Sequence, residues 1–328
     1  EIAQCLVGSE MCIRDRNIDK DETYPDMEYR ELKAAIASKE GLHPDEIICG
    51  NGASELIMAA VRAEKPVNCA VVSPSFSGYE RAIRAYGAGI RYYELDAKNG
   101  FGYDNVCSQL LTSDIQICFI CNPNNPTGNI VPKAIFMDIL DVCKRRNIRL
   151  VVDECFLRFH PAYEDISCKR YLFEYDNLVV INAFTKFYAM AGIRLGYMMC
   201  HDRGFLDKAK EQLPEWNISS IAQRAGIEAL KDNSYEEKTR RLISEERRYI
   251  ISELKNAGCK VYPSEADYIT FRLPEKSRRC NLMEELLKRK ILIRSCDSYR
   301  NMPSGCYRIA VKKHEDNECL IKNIMEVQ

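Results

Sequence analysis

Apolar and polar positions alternate between two patterns over the first two thirds of the chain. Runs such as NCAVVS (68–73), IQICFIC (115–121) and NLVVINAF (177–184) are almost continuously apolar, which indicates strands buried on both faces. Segments such as MEYRELKAAIASKEG (27–41) instead repeat apolar residues at spacings of three and four, which predicts helices. The alternation predicts an α/β fold, with a mostly parallel sheet in a three-layer arrangement.

The last third of the chain has a different pattern. A long polar helical segment (234–258) is followed by shorter strand-like runs, YITFRLP (268–274), ILIRSC (291–296) and CYRIAVK (306–312), with the helical segment NLMEELLKRK (281–290) among them. Mixed short strands and helices are typical of a smaller α+β domain.

These patterns predict how the chain is organised. We expect an N-terminal arm at 17–35, a large domain at 36–215 and a small C-terminal domain at 216–328. Residues 1–16, EIAQCLVGSEMCIRDR, lack the basic start and continuous apolar centre of a secretory signal and resemble a translated adapter sequence. We expect them to be non-native or disordered; the alternative is an ordinary amphipathic arm.

Composition narrows the classes of function. The chain has 47 Lys plus Arg against 48 Asp plus Glu, so no global field favours nucleic acid or anionic lipid as a partner. It has no apolar run long enough for a membrane span, and its four histidines are too dispersed for an expected metal site. The 16 cysteines form no disulfide framework, and Cys118 and Cys121 are expected to be buried thiols. This usage indicates a cytoplasmic protein.

Polar residues follow several predicted strands at the point where each strand ends. Carboxyl ends of parallel strands meet at one edge of a sheet, where ligands bind. The sequence therefore predicts a ligand site built from five loops: GNGASE (50–55), SPSF (73–76), NPNNPTG (122–128), DE (153–154) and FTK (184–186).

The first of these loops suits an anion. Gly50 and Gly52 allow a tight turn, and Ser54 lies at a predicted helix start, where backbone N–H groups and the helix dipole favour phosphate. An ordinary strand-to-helix turn is the alternative, and the loop lacks the lysine of a Walker A motif.

Four further residues suggest specific chemistry. Asp153 ends a buried strand, where it could cap the next segment or hold a magnesium ion. A buried carboxylate needs a cation, and a protonated pyridine nitrogen would also serve. Asn125 could donate to a phenolate-like oxygen, or lie in a plain loop. Lys186, if desolvated near other cations, becomes a nucleophile toward aldehydes, and Arg194 could neutralise a phosphate. Together with the phosphate turn and an aromatic residue, these groups suit pyridoxal 5′-phosphate.

The motifs NPNNPTG, DECF (153–156) and TKFYAMAGIRLGY (185–197) carry a resemblance. From about residue 17 to the end, the chain resembles the fold-type I pyridoxal-phosphate enzymes of the class I/II aminotransferase family. The resemblance implies a large cofactor-binding domain, a smaller C-terminal domain and a homodimer with shared active sites.

The resemblance also implies a role for each matching residue. Lys186 would bind the cofactor covalently, Asp153 would pair with the pyridinium nitrogen and Asn125 would bond the ring oxygen. Phe76 would stack on the ring. The cofactor phosphate would be held by Ala53, Ser54, Thr185, Arg194 and, in the neighbouring subunit's site, Tyr24.

Two closer groups within the family compete. Histidinol-phosphate aminotransferases share most of the pattern, whereas threonine-phosphate decarboxylases of the cobalamin pathway match more phrases, and Phe156 follows their pattern where aminotransferases of this branch usually carry tyrosine. In that resemblance Arg308 binds the substrate carboxylate and Arg294 its phosphate; surface pairing is the alternative for both arginines. The aminotransferase-like domain of a regulator is the non-enzyme alternative, disfavoured because no additional basic domain is present.

Overall fold

The computed structural model describes residues 24–104, 106–109, 111–277 and 281–327. The expectation for residues 1–16, and the first part of the expected arm, lie outside the described residues.

A seven-stranded sheet forms the centre of the larger part of the chain. Its strand order is β1-β7-β6-β5-β4-β2-β3, and β7 alone among these runs antiparallel to its neighbours. The mostly parallel α/β sheet expected from the sequence is therefore confirmed. The strands are β1 (Ile47–Gly50), β2 (Asn68–Ser73), β3 (Gly89–Glu94), β4 (Ile117–Cys121), β5 (Arg149–Asp153), β6 (Leu178–Ala183) and β7 (Gly196–Cys200).

Helices cover both faces of this sheet. In β5 the side chains of Leu150 and Val152 belong to one apolar cluster and Val151 to another, because successive residues of a strand point to opposite faces. Both clusters are buried, which gives three layers. The helices are α1 (Arg30–Glu40), α2 (Ala53–Glu64), α3 (Ser77–Tyr86), α4 (Val106–Gln109), α5 (Lys133–Arg145), α6 (Tyr163–Ile166), α7 (Phe184–Phe187), α8 (Arg203–Lys210), α9 (Ser220–Lys231) and α10 (Asn233–Asn256).

A second, antiparallel sheet lies in the last third of the chain, with the order β10-β11-β9-β8. The predicted strand at 291–296 is shortened to two residues, because the amide of Ile291 bonds to Leu286 O and closes the preceding helix. The elements are β8 (Lys260–Val261), β9 (Tyr268–Arg272), α11 (Leu282–Lys288), β10 (Arg294–Ser295), β11 (Cys306–Ala310) and α12 (His314–Val327).

The small sheet is attached to the loop that follows β4. The Tyr268 hydroxyl donates to Asn124 O over 2.9 Å, and the Thr270 hydroxyl donates to Pro126 O over 2.5 Å. The amide of Glu265 donates to Gly128 O over 2.9 Å. These bonds hold β9 against one carboxyl-terminal edge of the large sheet.

The cysteines within the described ranges are free thiols, and Cys118 and Cys121 are buried, as expected. No helix in the described part of the chain is long and apolar enough to cross a membrane. Among the same residues, no group of three or more His, Cys, Asp or Glu side chains is arranged to hold a metal ion.

Candidate active site

The loops that the sequence singled out meet at one edge of the large sheet. Strands β1, β2, β4, β5 and β6 all run in the same direction, so their carboxyl ends lie along that edge. The convergence expected from the sequence is therefore present in the fold.

The start of α2 forms an anion cradle with Arg194. Gly52 precedes the helix with φ of +80°, a conformation that favours glycine, and the helix start has no side-chain cap, which leaves its N–H groups available. A Cβ placed on Gly52 would lie 2.6 Å from Arg194 Nη2, so the guanidinium lies directly against the helix start. A Cβ on Gly196 would lie 2.9 Å from the amide nitrogen of Ala53. Only glycines permit this close approach.

Strand pairing brings the other predicted phosphate residues to the same place. Gly196 of β7 lies opposite both Gly50 of β1 and Ala183 of β6. Thr185 follows Ala183 in the short helix α7, and Ser54 is exposed in the first turn of α2. These two residues and Arg194 thus follow or precede three adjacent strand ends.

Asp153 is a buried carboxylate held by two hydrogen bonds. It is 6% exposed, accepts a hydrogen bond from the Tyr79 hydroxyl over 2.7 Å and a second from the amide of Cys155 over 3.0 Å. Burial, and next the charge of Asp153, raise the pKa of Tyr79, so the phenol remains a donor. No ion pair of Asp153 occurs among the described residues. A buried carboxylate in this state is ready to receive a protonated ligand nitrogen.

Two aromatic rings pack against Tyr79, the residue whose hydroxyl donates to Asp153. Phe76 precedes α3 and contacts Tyr79 edge-to-face, with ring centroids 5.6 Å apart. Tyr79 in turn stacks on Phe119 of β4 at 5.2 Å. The first of these contacts fixes the half-buried ring of Phe76 against Tyr79, and the ring remains partly accessible.

Asn125 is held by residues of the small sheet. Its Oδ1 accepts from the Tyr299 hydroxyl over 3.1 Å and from the Arg308 guanidinium. The Arg308 guanidinium also lies over the ring of Tyr268, 5.0 Å from its centroid. Because Oδ1 takes both bonds, the amide nitrogen of Asn125 is the atom left to donate to a ligand oxygen.

Lys186 has the properties of a reactive amine. The side chain is half-buried, and its amine lies 5.8 Å from the centroid of the Phe156 ring. Burial lowers the pKa of Lys186 and outweighs the attraction of Asp267, while the positive charges of Arg308 and Arg194 lower it further. A larger neutral fraction makes the amine a better nucleophile toward an aldehyde.

The two predicted substrate arginines are cross-strand partners. Arg294 of β10 lies directly opposite Arg308 of β11, so both side chains leave the same face of the small sheet. Arg294 is exposed and Arg308 is half-buried. Tyr24, in contrast, is 83% exposed, and its ring contacts that of Trp216 with centroids 5.1 Å apart.

Three residues of the site were missed by the sequence reasoning. Tyr79 lies three residues after Phe76, one helical turn on, and this spacing could have indicated it. Tyr299 gave no local signal. Asp267 directly precedes the apolar run of β9, and an acid in that setting could have been recognised as buried.

Comparison with known proteins agrees with this geometry. The model of the family described as aminotransferase class I and II matches residues 13–324. The chain belongs to this family. Its α/β fold and its pyridoxal 5′-phosphate dependence follow from that membership.

Curated relatives within the family differ in activity. The chain is 32% identical to the threonine-phosphate decarboxylase of Salmonella typhimurium over 95% of this chain and 85% of the relative. It is 33% identical to the histidinol-phosphate aminotransferase of Oleidesulfovibrio alaskensis over 93% of this chain and 82% of that protein. Both support a pyridoxal-phosphate enzyme for a phosphorylated substrate.

A solved structure has the same fold. The histidinol-phosphate aminotransferase of Sinorhizobium meliloti, determined in complex with pyridoxal 5′-phosphate, aligns with a TM-score of 0.84 at 21% identity, covering 98% of this chain and 87% of that chain. The residues present here fit the same cofactor: the cradle at Gly52 and Arg194 suits its phosphate, Asp153 its ring nitrogen, and Lys186 its aldehyde.

Proposed function

We propose that this enzyme decarboxylates L-threonine O-3-phosphate to aminopropanol phosphate, a step of cobalamin biosynthesis. The observation that carries the proposal is the cross-strand pair Arg294 and Arg308, with Arg308 in contact with Asn125. Transamination of histidinol phosphate is the second candidate, which the relative from Oleidesulfovibrio favours.

The charge of the substrate supports decarboxylation. Threonine phosphate carries a carboxylate and a phosphate, and each is an anion that a forked guanidinium binds well. Histidinol phosphate carries a phosphate but no carboxylate. Arg308, whose charge acts on Lys186, and its cross-strand neighbour Arg294 therefore match the two anions of threonine phosphate better, with Arg308 on the carboxylate and Arg294 on the phosphate.

The cofactor would be held by the residues already described. Lys186 would bind it covalently, Asp153 would keep its ring nitrogen protonated, Asn125 would donate to its ring oxygen, and Phe76 would stack on the ring. Its phosphate would be bound by four residues of this chain, Ala53, Ser54, Thr185 and Arg194.

The reaction depends on orientation and on one proton. When bound, the cofactor supplies a conjugated ring that accepts the electron pair of the breaking bond between Cα and the carboxylate carbon. Arg308 orients that carboxylate, which leaves as carbon dioxide without the electron pair. The Lys186 amine, held near the reacting carbon, returns a proton to Cα. If Arg308 placed the Cα–H bond in that orientation instead, Lys186 would remove a proton and transamination would follow.

The surroundings of Lys186 support this assignment. Phe156 presents an apolar ring toward the amine, and its edge-to-face contact with Tyr268, at 4.9 Å, fixes that ring. A tyrosine at this position would add a hydroxyl to the site. The phenylalanine ring offers no second group for proton transfer beside the Lys186 amine. This apolar setting favours loss of neutral carbon dioxide over removal of a proton from Cα.

We also propose that the enzyme acts in the cytoplasm as a homodimer. The exposed ring of Tyr24, next to Trp216, is a surface residue that a second copy could cover. Buried free thiols support a reducing compartment.

A pair of assays tests the reaction. We expect purified enzyme with added cofactor to release carbon dioxide from threonine phosphate, measured with substrate labelled at the carboxyl carbon. A parallel assay supplies histidinol phosphate and 2-oxoglutarate and measures glutamate. Glutamate formation without carbon dioxide release would overturn the decarboxylase assignment in favour of the aminotransferase.

Replacing Arg308 tests the proposed grip on the carboxylate. Arg308→Leu should lower kcat/KM for threonine phosphate by about 10²-fold or more, because a partly buried charged contact is lost. The matched control is Arg272→Leu, since Arg272 lies on neighbouring β9 and donates to Ser304 O at the surface. An equal loss in both variants would contradict the role of Arg308.

A further inference from the structure

Asp267 is a buried acid that the reaction above does not use. It is 1% exposed, and neither carboxylate oxygen has a hydrogen-bond partner among the described residues. Leaving a buried carboxylate without partners costs several kcal/mol, on the order of the stability of a whole domain. A buried carboxylate that costs this much stability is expected to have a role in function.

The backbone at Asp267 is held by its bond to β11 and by the contacts of the next residue. Its backbone oxygen accepts from the amide of Val311 over 2.7 Å, which closes the end of the β9–β11 pairing. The next residue, Tyr268, donates to Asn124 O and carries the Arg308 guanidinium over its ring. The carboxylate therefore lies where the small sheet meets the loop of Asn125.

The positive charges of three residues act on this carboxylate, and none of the three forms an ion pair with it in the described chain. They are Lys186, Arg308 and Arg247. Two of them are already engaged: Arg308 bonds Asn125, and Arg247 bonds Glu265 over 2.8 Å and Ala266 O over 3.1 Å. The Lys186 amine is the remaining cation, and attraction between it and Asp267 is the largest single-residue effect on the lysine.

We propose that Asp267 is a positioning residue that holds the protonated amine of Lys186 within the site and sets how readily that amine gives up its proton. The inference rests on the proposed role of Lys186 and deepens it. The protonated amine is repelled by Arg308 and Arg194, and the carboxylate of Asp267 offsets that repulsion. The amine thus keeps a proton to deliver and remains near the reacting carbon.

The sign of the effect follows from the charges. Burial raises the pKa of Asp267 to about 6, and the attraction of Lys186 opposes this rise. Above pH 6 the carboxylate is therefore mostly ionised, and it raises the pKa of Lys186. Neutralising Asp267 must lower the pKa of Lys186. The other groups acting on the lysine are Arg308, Cys155 and Arg194, and they are unchanged by that substitution.

The test measures Lys186 in the full chain prepared without cofactor. The protein is acetylated with trace acetic anhydride over a pH series, and the acetylated Lys186 peptide is quantified by mass spectrometry. In Asp267→Asn the midpoint of reactivity should move down by about one pH unit, the usual size of the effect of one nearby opposite charge. Glu265→Gln, which removes a surface acid two residues earlier, should leave the midpoint unchanged.

The outcomes are decisive in either direction. A midpoint that is unchanged or higher in folded Asp267→Asn overturns the proposal. If circular dichroism shows that Asp267→Asn is unfolded, Asp267→Ser replaces it. If both variants are unfolded, the wild-type profile is used, and it must show a second inflection near pH 6, where Asp267 titrates. Absence of that inflection overturns the proposal. The acetylation experiment measures no turnover, so its result does not depend on the decarboxylase assay. Failure of the proposed role of Asp267 is therefore distinguishable from failure of the proposed decarboxylase function.

Discussion

Lys186→Ala is expected to abolish covalent cofactor binding and to lower kcat by about 10⁴-fold or more, since the nucleophile and the proton donor are lost together. The Lys186 amine is half-buried, and burial together with Arg308 and Arg194 lowers its pKa. The arginines of the site would not replace it, because a guanidinium group is a delocalised cation and not a nucleophile. Two measurements report the loss: the visible absorbance of protein-bound cofactor, and the mass of the protein after borohydride reduction with cofactor.

The matched control for this substitution is Lys231→Ala. Lys231 is an exposed lysine at the end of α9 that pairs with Glu228 on the same helix. It should retain the absorbance, the reduced adduct and the activity. Persistence of the adduct in Lys186→Ala would refute the assignment of the lysine, whatever the reaction catalysed.

Asp153→Asn is expected to lower kcat by about 10³-fold while the protein still folds and binds the cofactor. The amide has nearly the shape of the carboxylate and can accept from Tyr79 or Cys155, so the local packing is retained. It carries no charge, so the ring nitrogen loses the partner that keeps it protonated, and the electron sink weakens. Steady-state kinetics and a thermal melt of the cofactor-bound protein separate the two effects.

A neighbouring acid provides the control for Asp153. Glu154 is also buried, but it points to the other side of the strand end, where it accepts from the Ser167 hydroxyl over 2.6 Å and from the amide of Cys168 over 2.7 Å. Glu154→Gln should change stability but not the chemical step. A kcat for Asp153→Asn near that of Glu154→Gln would show that Asp153 does not act on the cofactor.

The division of the fold into elements was readable from the sequence. Helix α1 ends at Gly41, whose φ of +72° closes the helix as its position after the apolar repeat predicted. The buried runs at 68–73 and 177–184 became β2 and β6. Periodicity is a local property, so it survives without knowledge of the neighbours. The strand at 291–296 was overestimated because pairing with β11 extends over two residues only.

The candidate site was only partly readable. Residues at or just after the end of a parallel strand, such as Asp153 and Lys186, could be identified because strand direction alone brings those ends to one edge. Contacts between residues far apart in the sequence could not be identified in this way. The Arg308–Asn125 contact spans 183 residues and the Tyr79–Asp153 bond spans 74. Both depend on how the small sheet and α3 pack against that edge, which no local pattern encodes.

The sequence by itself determined the strand-and-helix alternation, the lysine after β6 and the family motifs, because these depend on neighbouring residues in the chain. Only the tertiary structure decided which atoms meet: Arg194 lies against Gly52 and Arg294 lies beside Arg308. It also buries Asp267 with no hydrogen-bond partner among the described residues, where the charges of three cations act on it. The physical reason is that the pKa of Lys186 is set by burial and by charges from distant segments, and these are properties of packing.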